Sequence, residues 1–416
     1  MFPNLKKIYY QFPVRFWIVV LASFISGVGG TLLFPFFALY ITQKFNVGMT
    51  TAGIILGLFS VFGLAGGMLG GALADKFGRR VLIIAGLVLG SVSTVVLGFV
   101  NQLVVLYPLA VVIGTLDQIG GPAQNAMVAD LLPEEKRQEG FGILRVVGNL
   151  AWIIGPTIGG LLANRSYFLL FVTNAVLSCA VAAIFYRFVP ETKPQELEET
   201  KGQSVLQTIA GYKVALRDFA FMAFLVASIL MMVVYLQAYN TLSVYLRNYH
   251  GINPQGYGFL LTSSAITVVL FQFWITHRVK RFPPFVLMGA GTILYAIGFG
   301  MFGFVSAYAL FVTAVVVITF GEMIIVPTSQ ALTAHFAPEE MRGRYMAVYG
   351  FSWSIPAAIG PGAAGYILDH YNPNLVWYIG GILCLVAALA FYVLHLRLGA
   401  QERFVASATE EEAAPA

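Results

Sequence analysis

Residues 114–160 read GTLDQIGGPAQNAMVADLLPEEKRQEGFGILRVVGNLAWIIGPTIGG, and residues 319–365 read TFGEMIIVPTSQALTAHFAPEEMRGRYMAVYGFSWSIPAAIGPGAAG. A single shift of 205 positions aligns the two without a gap and leaves 12 identities in 47 positions. Pro133–Arg137 (PEEKR) falls on Pro338–Arg342 (PEEMR), and Gly155, Pro156 and Gly160 fall on Gly360, Pro361 and Gly365. Unrelated stretches would share about three or four residues at typical composition, so the chain holds two copies of one unit. The same shift carries Asp117 onto Glu322.

Outward from this pair, the rest of the chain is a series of apolar runs long enough to cross a hydrocarbon layer, which takes about 20 residues each. Twelve are expected. Six lie at about 16–41, 51–74, 81–100, 103–131, 138–163 and 167–188, and six at about 219–246, 255–276, 285–305, 308–335, 343–368 and 375–397. Composition agrees: 58% of the residues are AVILMFWYC and 10% are charged, against about 25% charged in soluble domains. A soluble globule of this length cannot coat itself with so few charges, which excludes a soluble enzyme or nucleic-acid-binding protein. The expected fold class is an all-α membrane protein of twelve transmembrane helices in two pseudo-symmetric six-helix bundles.

Between the halves, residues 190–217 concentrate charge (Glu191, Lys193, Glu196, Glu198, Glu199, Lys201, Lys213, Arg217). The expected organisation is therefore a first bundle at 1–189, a linker at 190–217, a second bundle at 218–398, and a disordered tail at 399–416. An even number of spans puts both termini and the linker on one side. That side carries twenty Lys and Arg, the other only Lys44, Arg165 and Arg247. The excess of basic residues on one side sets orientation, so termini and linker are expected in the cytoplasm of a cell whose inner membrane holds the protein.

Two motifs point further. Between spans two and three, Gly71–Ile83 reads GALADKFGRRVLI. Gly71 lets a helix end approach a neighbour and Gly78 supplies a tight turn. Asp75 stands where a carboxylate can face a helix N-terminus, and Arg79 or Arg80 can reach Asp130 at the end of span four. In the second half Pro283 and Pro284 replace the Gly78–Arg79 pair, so that copy is degenerate. In span five, Ala151–Gly160 reads AWIIGPTIGG: Pro156 removes a backbone hydrogen bond and bends the helix, and Gly155, Gly159 and Gly160 make a smooth packing face.

The first motif resembles the signature loop of the major facilitator superfamily, G-x-L-a-D-r-x-G-r-r, with Lys76 where Arg is commoner. The second is similar to the g-x-x-x-G-P-x-x-G-G motif associated in that superfamily with proton-driven exporters, Ala151 replacing the first Gly. The resemblance implies the major facilitator fold, with spans 1, 4, 7 and 10 around a substrate path between the halves. It also implies a charged latch at Gly71, Asp75, Gly78, Arg79, Arg80 and Asp130 that opens and closes the cytoplasmic side. The activity it implies is exchange of protons for lipophilic, often cationic, small molecules. The alternatives are a carrier for a defined metabolite, such as a sugar, an amphipathic lipid or an amino acid, and, at greater distance, an intramembrane receptor or enzyme. The last is disfavoured because the sequence has no HExxH, no GxSxG and no Cys/His pair.

Ionisable groups inside spans are costly, about 2.5–3.5 kcal/mol each at the helix centre on insertion scales. Three stand out: Asp117, Arg145 and Glu322. Asp117 occupies the place, four residues before Gly121, where the resembled exporters carry an Arg. Arg145 can reach toward Asp117 and fix its charge. Glu322 has no basic residue within helical reach in its own span and is the expected principal proton-coupling carboxyl, with Asp117 as its partner. Gln124, Asn149, Trp152, Gln237, Tyr239, Asn240 and Gln272 are polar or amphipathic groups inside spans, and candidate cavity linings. No catalytic residue, metal site or cofactor is expected. The expected partners are a small-molecule substrate, protons and the lipid bilayer around a monomer.

Overall fold

The computed structural model describes residues 9–193, 213–279, 281–338 and 341–398. The tail at 399–416, most of the linker, Lys280 and the Glu339–Glu340 pair lie outside the described residues. Among the described residues the chain is helical and forms no strand.

The helices of the first half are α1 (Val14–Leu33), α2 (Phe37–Lys44), α3 (Met49–Phe77), α4 (Arg79–Phe99), α5 (Leu103–Gln118), α6 (Gly121–Leu131), α7 (Glu134–Arg165) and α8 (Tyr167–Phe188). Those of the second are α9 (Phe219–Tyr235), α10 (Thr241–His250), α11 (Pro254–Val279), α12 (Pro284–Phe302), α13 (Tyr308–Phe336), α14 (Arg342–Tyr349), α15 (Phe351–His370) and α16 (Leu375–Leu398). Among the described residues, 11 segments are long and apolar enough to cross a membrane, and the chain is a multi-pass membrane protein. The segment expected at 343–368 is not one of them. It is divided into α14 and α15 at Gly350, and the Gly, Ala, Ser and Pro residues of α15 dilute its apolar character.

The chain forms two compact units, one of Met1–Leu197 with Leu246–Thr262 and one of Glu198–Tyr245 with Ser263–Ala416. Each unit uses the same helix pairings. In the first, α1 packs on α7 and α8, α4 on α8, and α3 on α5. In the second, α9 packs on α15 and α16 and α12 on α16. There α11 meets α13 through Thr319 Oγ1, which donates to Ser264 Oγ at 2.8 Å, and Gln272 Nε2, which donates to the Met323 carbonyl at 3.3 Å. The duplication read from the sequence is thus carried into the packing.

Four spans are interrupted, and the interruptions have local causes. Span one turns through a 3₁₀ segment at Phe34–Phe36 around Pro35, whose ring leaves no N–H for the helix ladder. Span seven has a matching 3₁₀ segment at Leu236–Ala238 without a proline. Here Gln237 Nε2 donates to the Val233 carbonyl at 2.7 Å and Asn240 Nδ2 to the Leu236 carbonyl at 3.0 Å, so side chains satisfy backbone groups that the ladder releases. Span four breaks at Ile119–Gly120, before Gly121 and Pro122. Span ten carries the aligned Pro327 inside an unbroken α13. The difference is Ile325 and Val326 in place of Gly120 and Gly121: a Gly–Gly pair costs a helix more than Ile–Val does. The fourth interruption is that of span eleven at Gly350.

Candidate functional site

At the loop between spans two and three, α3 ends at Phe77 and α4 begins at Arg79, with only Gly78 between them at φ +99°. That conformation favours glycine. The N-terminus of α4 is filled by a carboxylate that sequence reading did not select. Glu191 accepts the backbone N–H of Arg79 (2.9 Å), Arg80 (3.0 Å), Thr192 (2.9 Å) and Lys193 (3.0 Å). Burial works against its charge, but these four donors outweigh it and hold the carboxyl below its ordinary range. The Asp75 side chain, expected at a helix end, lies outside the described residues.

Arg79, rather than Arg80, forms the ion pair with Asp130. Thr192 Oγ1 donates to the same carboxylate at 3.1 Å, and Lys193 Nζ donates to the Lys76 carbonyl at 3.0 Å. Arg80 instead donates to the Tyr186 carbonyl and lies 5.3 Å from the Tyr186 ring centre. The start of the linker is therefore fastened to the motif. Nothing local marked Glu191-Thr192-Lys193, directly after span six, as the segment that reaches this helix start. The close approach expected of Gly71 falls elsewhere. A Cβ at Gly71 would meet only Pro122 at 4.0 Å, whereas at Gly66 and Gly70 it would run into the backbone of Thr115 and Ile119. Positions 63, 66 and 70 form the face of α3 turned to α5, and residue 71 lies off it.

In span five the glycine face is divided between two neighbours. Cβ atoms at Gly155 and Gly159 would collide with Thr31 and Leu32 of α1, and Thr31 Oγ1 donates to the Ala151 carbonyl at 2.9 Å. Gly160 faces α11, where a Cβ would lie 2.9 Å from the Pro254 carbonyl. One turn of helix away, the Thr157 and Thr262 hydroxyls are 2.6 Å apart. α7 runs unbroken through Pro156.

Asp117 sits in the last turn of α5, immediately before the span-four break, and is exposed. It accepts a hydrogen bond from Gln118 Nε2 at 2.9 Å, and Arg145 is exposed on α7. Glu322 lies within α13, within hydrogen-bonding reach of the Tyr235 side chain of α9. The hydroxyls of Tyr235 and Tyr239 are 3.0 Å apart. The Tyr235 ring stacks on Tyr295, with centroids 5.4 Å apart and planes at 12°, while Trp353 meets it nearly at right angles at 6.1 Å. Of this group the sequence reading selected Glu322 and Tyr239. Tyr235 was legible as the i, i+4 neighbour of Tyr239; Tyr295 and Trp353 come from other spans and carried no local signal.

The other polar candidates bond within their own span or to a neighbouring one. Gln124 Nε2 donates to Ser23 Oγ at 2.7 Å, Gln237 Oε1 accepts from Thr241 at 2.7 Å, and Gln272 Nε2 donates to Thr276 Oγ1 at 3.0 Å. Trp152 packs edge-on to Phe34 at 6.3 Å, and Asn149 is exposed. Among the described residues no three His, Cys, Asp or Glu side chains are grouped to hold a metal ion.

Known proteins resemble the chain over nearly its whole length. It is 27% identical over 369 residues to a Na(+), Li(+), K(+)/H(+) antiporter of Planococcus maritimus, covering 82% of this chain and 87% of that one. It is 21% identical over 378 residues to the multidrug resistance protein MdtH of Escherichia coli O1:K1 / APEC, covering 90% and 92%. Among solved structures, the nucleoside transporter NupG superposes with a TM-score of 0.75 at 13% identity, covering 91% of this chain and 98% of that one. A POT family transporter does so with 0.77 at 16% identity, covering 92% and 96%. These relatives and structural neighbours are transporters and not enzymes. With the profile of the Major Facilitator Superfamily matching residues 19–253 and 237–415, the chain is a member of that superfamily.

Proposed function

We propose that this transporter exports lipophilic, cationic small molecules in exchange for protons, by alternating access of its two six-helix halves. The observation that carries the reading is Glu322: an acid within a membrane-spanning helix, within hydrogen-bonding reach of Tyr235 and ion-paired with no Lys, Arg or His among the described residues. An ionised carboxylate attracts a cation, and a protonated one does not. One negative charge can therefore be satisfied by a proton in one half-cycle and a cationic substrate in the other, which makes the exchange obligatory. Asp117, its counterpart in the first half, is the second exchanger. The Arg79–Asp130 pair, with Glu191 and Thr192, is the latch whose opening accompanies the inward-facing state, and Gly155–Gly160 is the packing face on which spans one and five move. The excess of basic residues on one side supports termini and linker in the cytoplasm, and the working unit of this reading is a monomer in the cell membrane.

A second reading, exchange of alkali cations for protons, is favoured by the name of the Planococcus maritimus relative. Both are tested by reconstitution in proteoliposomes with an imposed pH gradient. Organic cations, Na+ and K+ are compared for flux that collapses when the gradient is removed. Gradient-driven organic-cation flux supports the first reading and alkali-cation flux the second. A neutral metabolite moved independently of pH overturns both.

A further inference from the structure

Within the second unit a pocket is walled by Tyr235, Tyr295, Tyr349 and Trp353, with Met231 and Met232 beside them. We propose that this pocket binds the charged head of an organic cation, a quaternary phosphonium or ammonium whose charge is wrapped in carbon, using residues of that unit alone. The proposal deepens the export reading by naming where its substrate is held, and rests on that reading for the direction of transport.

The rings are set for it. Tyr235 and Tyr295 lie parallel, at 12°, and Trp353 stands at 84° to Tyr235, so two differently oriented aromatic surfaces meet at one corner. A cation is attracted to a ring face when it lies within about 6 Å of the centroid, most strongly by indole and phenol and more so where water is excluded. Tyr295 is buried, while Trp353 is 46% exposed, which gives a fixed wall and an accessible one. Behind the wall, the Glu322 carboxyl is within hydrogen-bonding reach of Tyr235, so a group able to carry a negative charge lies one ring away from the occupant. The two thioethers supply polarisable surface that adapts to different shapes. No Lys, Arg or His lines the pocket, and its polar members Ser329 and Gln330 are neutral, which disfavours an anion. Aromatic carbon and thioether sulfur are poor ligands for Na+ or K+, as for the other hard cations, which take a shell of oxygens.

The test uses the purified full-length chain in detergent, with signal from empty micelles subtracted. Its probes are tetraphenylphosphonium, tetraphenylborate (the same shape with the opposite charge) and the chlorides of sodium and potassium. The parent is expected to bind the phosphonium and not the borate. Trp353→Leu should weaken phosphonium binding about tenfold, and Trp353→Phe, which keeps a ring, should retain most of it. Should Trp353→Leu fail to fold, Gln330→Lys serves instead. It changes an exposed residue and places a positive charge at the rim, so phosphonium binding should fall and borate binding rise. Unchanged phosphonium affinity in both Trp353→Leu and Gln330→Lys, or equal binding of both ions by the parent, overturns the proposal, as does displacement of the phosphonium by either alkali ion at equimolar concentration.

Failure of the pocket and failure of the export reading are separable in proteoliposomes. A parent that binds phosphonium through Trp353 but moves no organic cation under a pH gradient leaves the pocket and removes the export reading. A parent that exports it, with unchanged half-saturation in Trp353→Leu, does the reverse.

Discussion

Glu191 Oε1 accepts the backbone N–H of Arg79 at 2.9 Å, so the first charged residue after span six is seated on the N-terminus of the helix that begins span three. A carboxylate at such a site is stabilised by unpaired N–H groups and the helix dipole, by about 0.3–1 kcal/mol when exposed. Glu191→Gln is therefore expected to lower the melting temperature of the detergent-solubilised protein slightly. The pH dependence has a definite sign. The carboxyl is held below its ordinary range in the folded protein. Its contribution is then complete above the unfolded carboxyl's pKa and is lost as pH falls through the depressed folded value. The gap between parent and variant in scanning fluorimetry should be constant from pH 6 to 8 and close on acidification. A gap that widened instead would remove Glu191 from the helix end.

Asp130 serves two partners, the Arg79 guanidinium and the Thr192 hydroxyl, and this makes the proposed latch measurable. Removing the carboxylate by Asp130→Asn releases both, whereas Thr192→Val removes only one neutral donor. A partly exposed ion pair is worth about 1 kcal/mol or less, enough to shift a two-state equilibrium several-fold. Spin-label distances across the face that carries the linker should broaden or lengthen in Asp130→Asn and change little in Thr192→Val. In the double variant Thr192→Val should add almost nothing, because its acceptor is already weakened. Identical distance distributions in parent and Asp130→Asn, with transport lost, would show that the pair does not hold this face.

The glycines of span five separate packing from sequence pattern. A methyl at Gly155 would collide with Thr31 and the backbone at Leu32, whereas at Gly148, on the same helix, it would meet nothing within 4 Å. Overpacking of this kind costs about 1–3 kcal/mol, while Gly→Ala in an open helix position gains up to about 1. Gly155→Ala is thus expected to lower thermal stability and Gly148→Ala to leave it unchanged or raise it, both read by fluorescence size-exclusion after heating.

Legibility in the sequence followed the range of the interaction. Spans were readable because each apolar run carries its own length signal, and the repeat because Pro133–Arg137 and Gly155–Gly160 recur at one spacing. Span eleven was the exception. Its break at Gly350 falls where Arg145 aligns in the first copy, and the short-range pattern gave no reason to stop a helix there. Gly78 and Arg79 were legible because a turn and its charge lie in adjacent positions. Glu191 was not: it is 112 residues from the backbone it caps, and a glutamate in a charged linker looks like a solvated one. The Glu322 surroundings divide the same way. A lone acid in an apolar span is conspicuous, but Tyr295 and Trp353 reach Tyr235 from other spans, and an aromatic residue in a membrane helix is otherwise unremarked.

The two intramembrane acids are expected to differ in what their neutral variants lose. Glu322 is within hydrogen-bonding reach of a phenol, Tyr235, whose hydroxyl lies 3.0 Å from that of Tyr239. Phenols both donate and accept, so this carboxyl has neighbours able to pass a proton and rings able to face a cation. Asp117 takes its hydrogen bond from the amide of Gln118, a group that donates but does not relay, and lies at the mouth of the span-four break. Glu322→Gln keeps the hydrogen-bonding shape while removing the exchangeable charge. It should retain binding of a neutral analogue, lose the pH dependence of cation binding, and abolish uphill flux driven by a pH gradient. Asp117→Asn should bind with pH dependence intact and transport at a reduced rate. Tyr235→Phe discriminates further: it keeps the ring but removes the hydroxyl, so cation affinity should persist while coupled flux falls. The measurement is uptake into inverted vesicles or proteoliposomes at fixed membrane potential, with and without a pH difference. If Asp117→Asn were the variant that lost coupling and Glu322→Gln the milder one, the principal exchanger would lie in the first half. If both variants still concentrated cation under a pH gradient, exchange through these carboxyls would be excluded, and the proton would have to travel with another group.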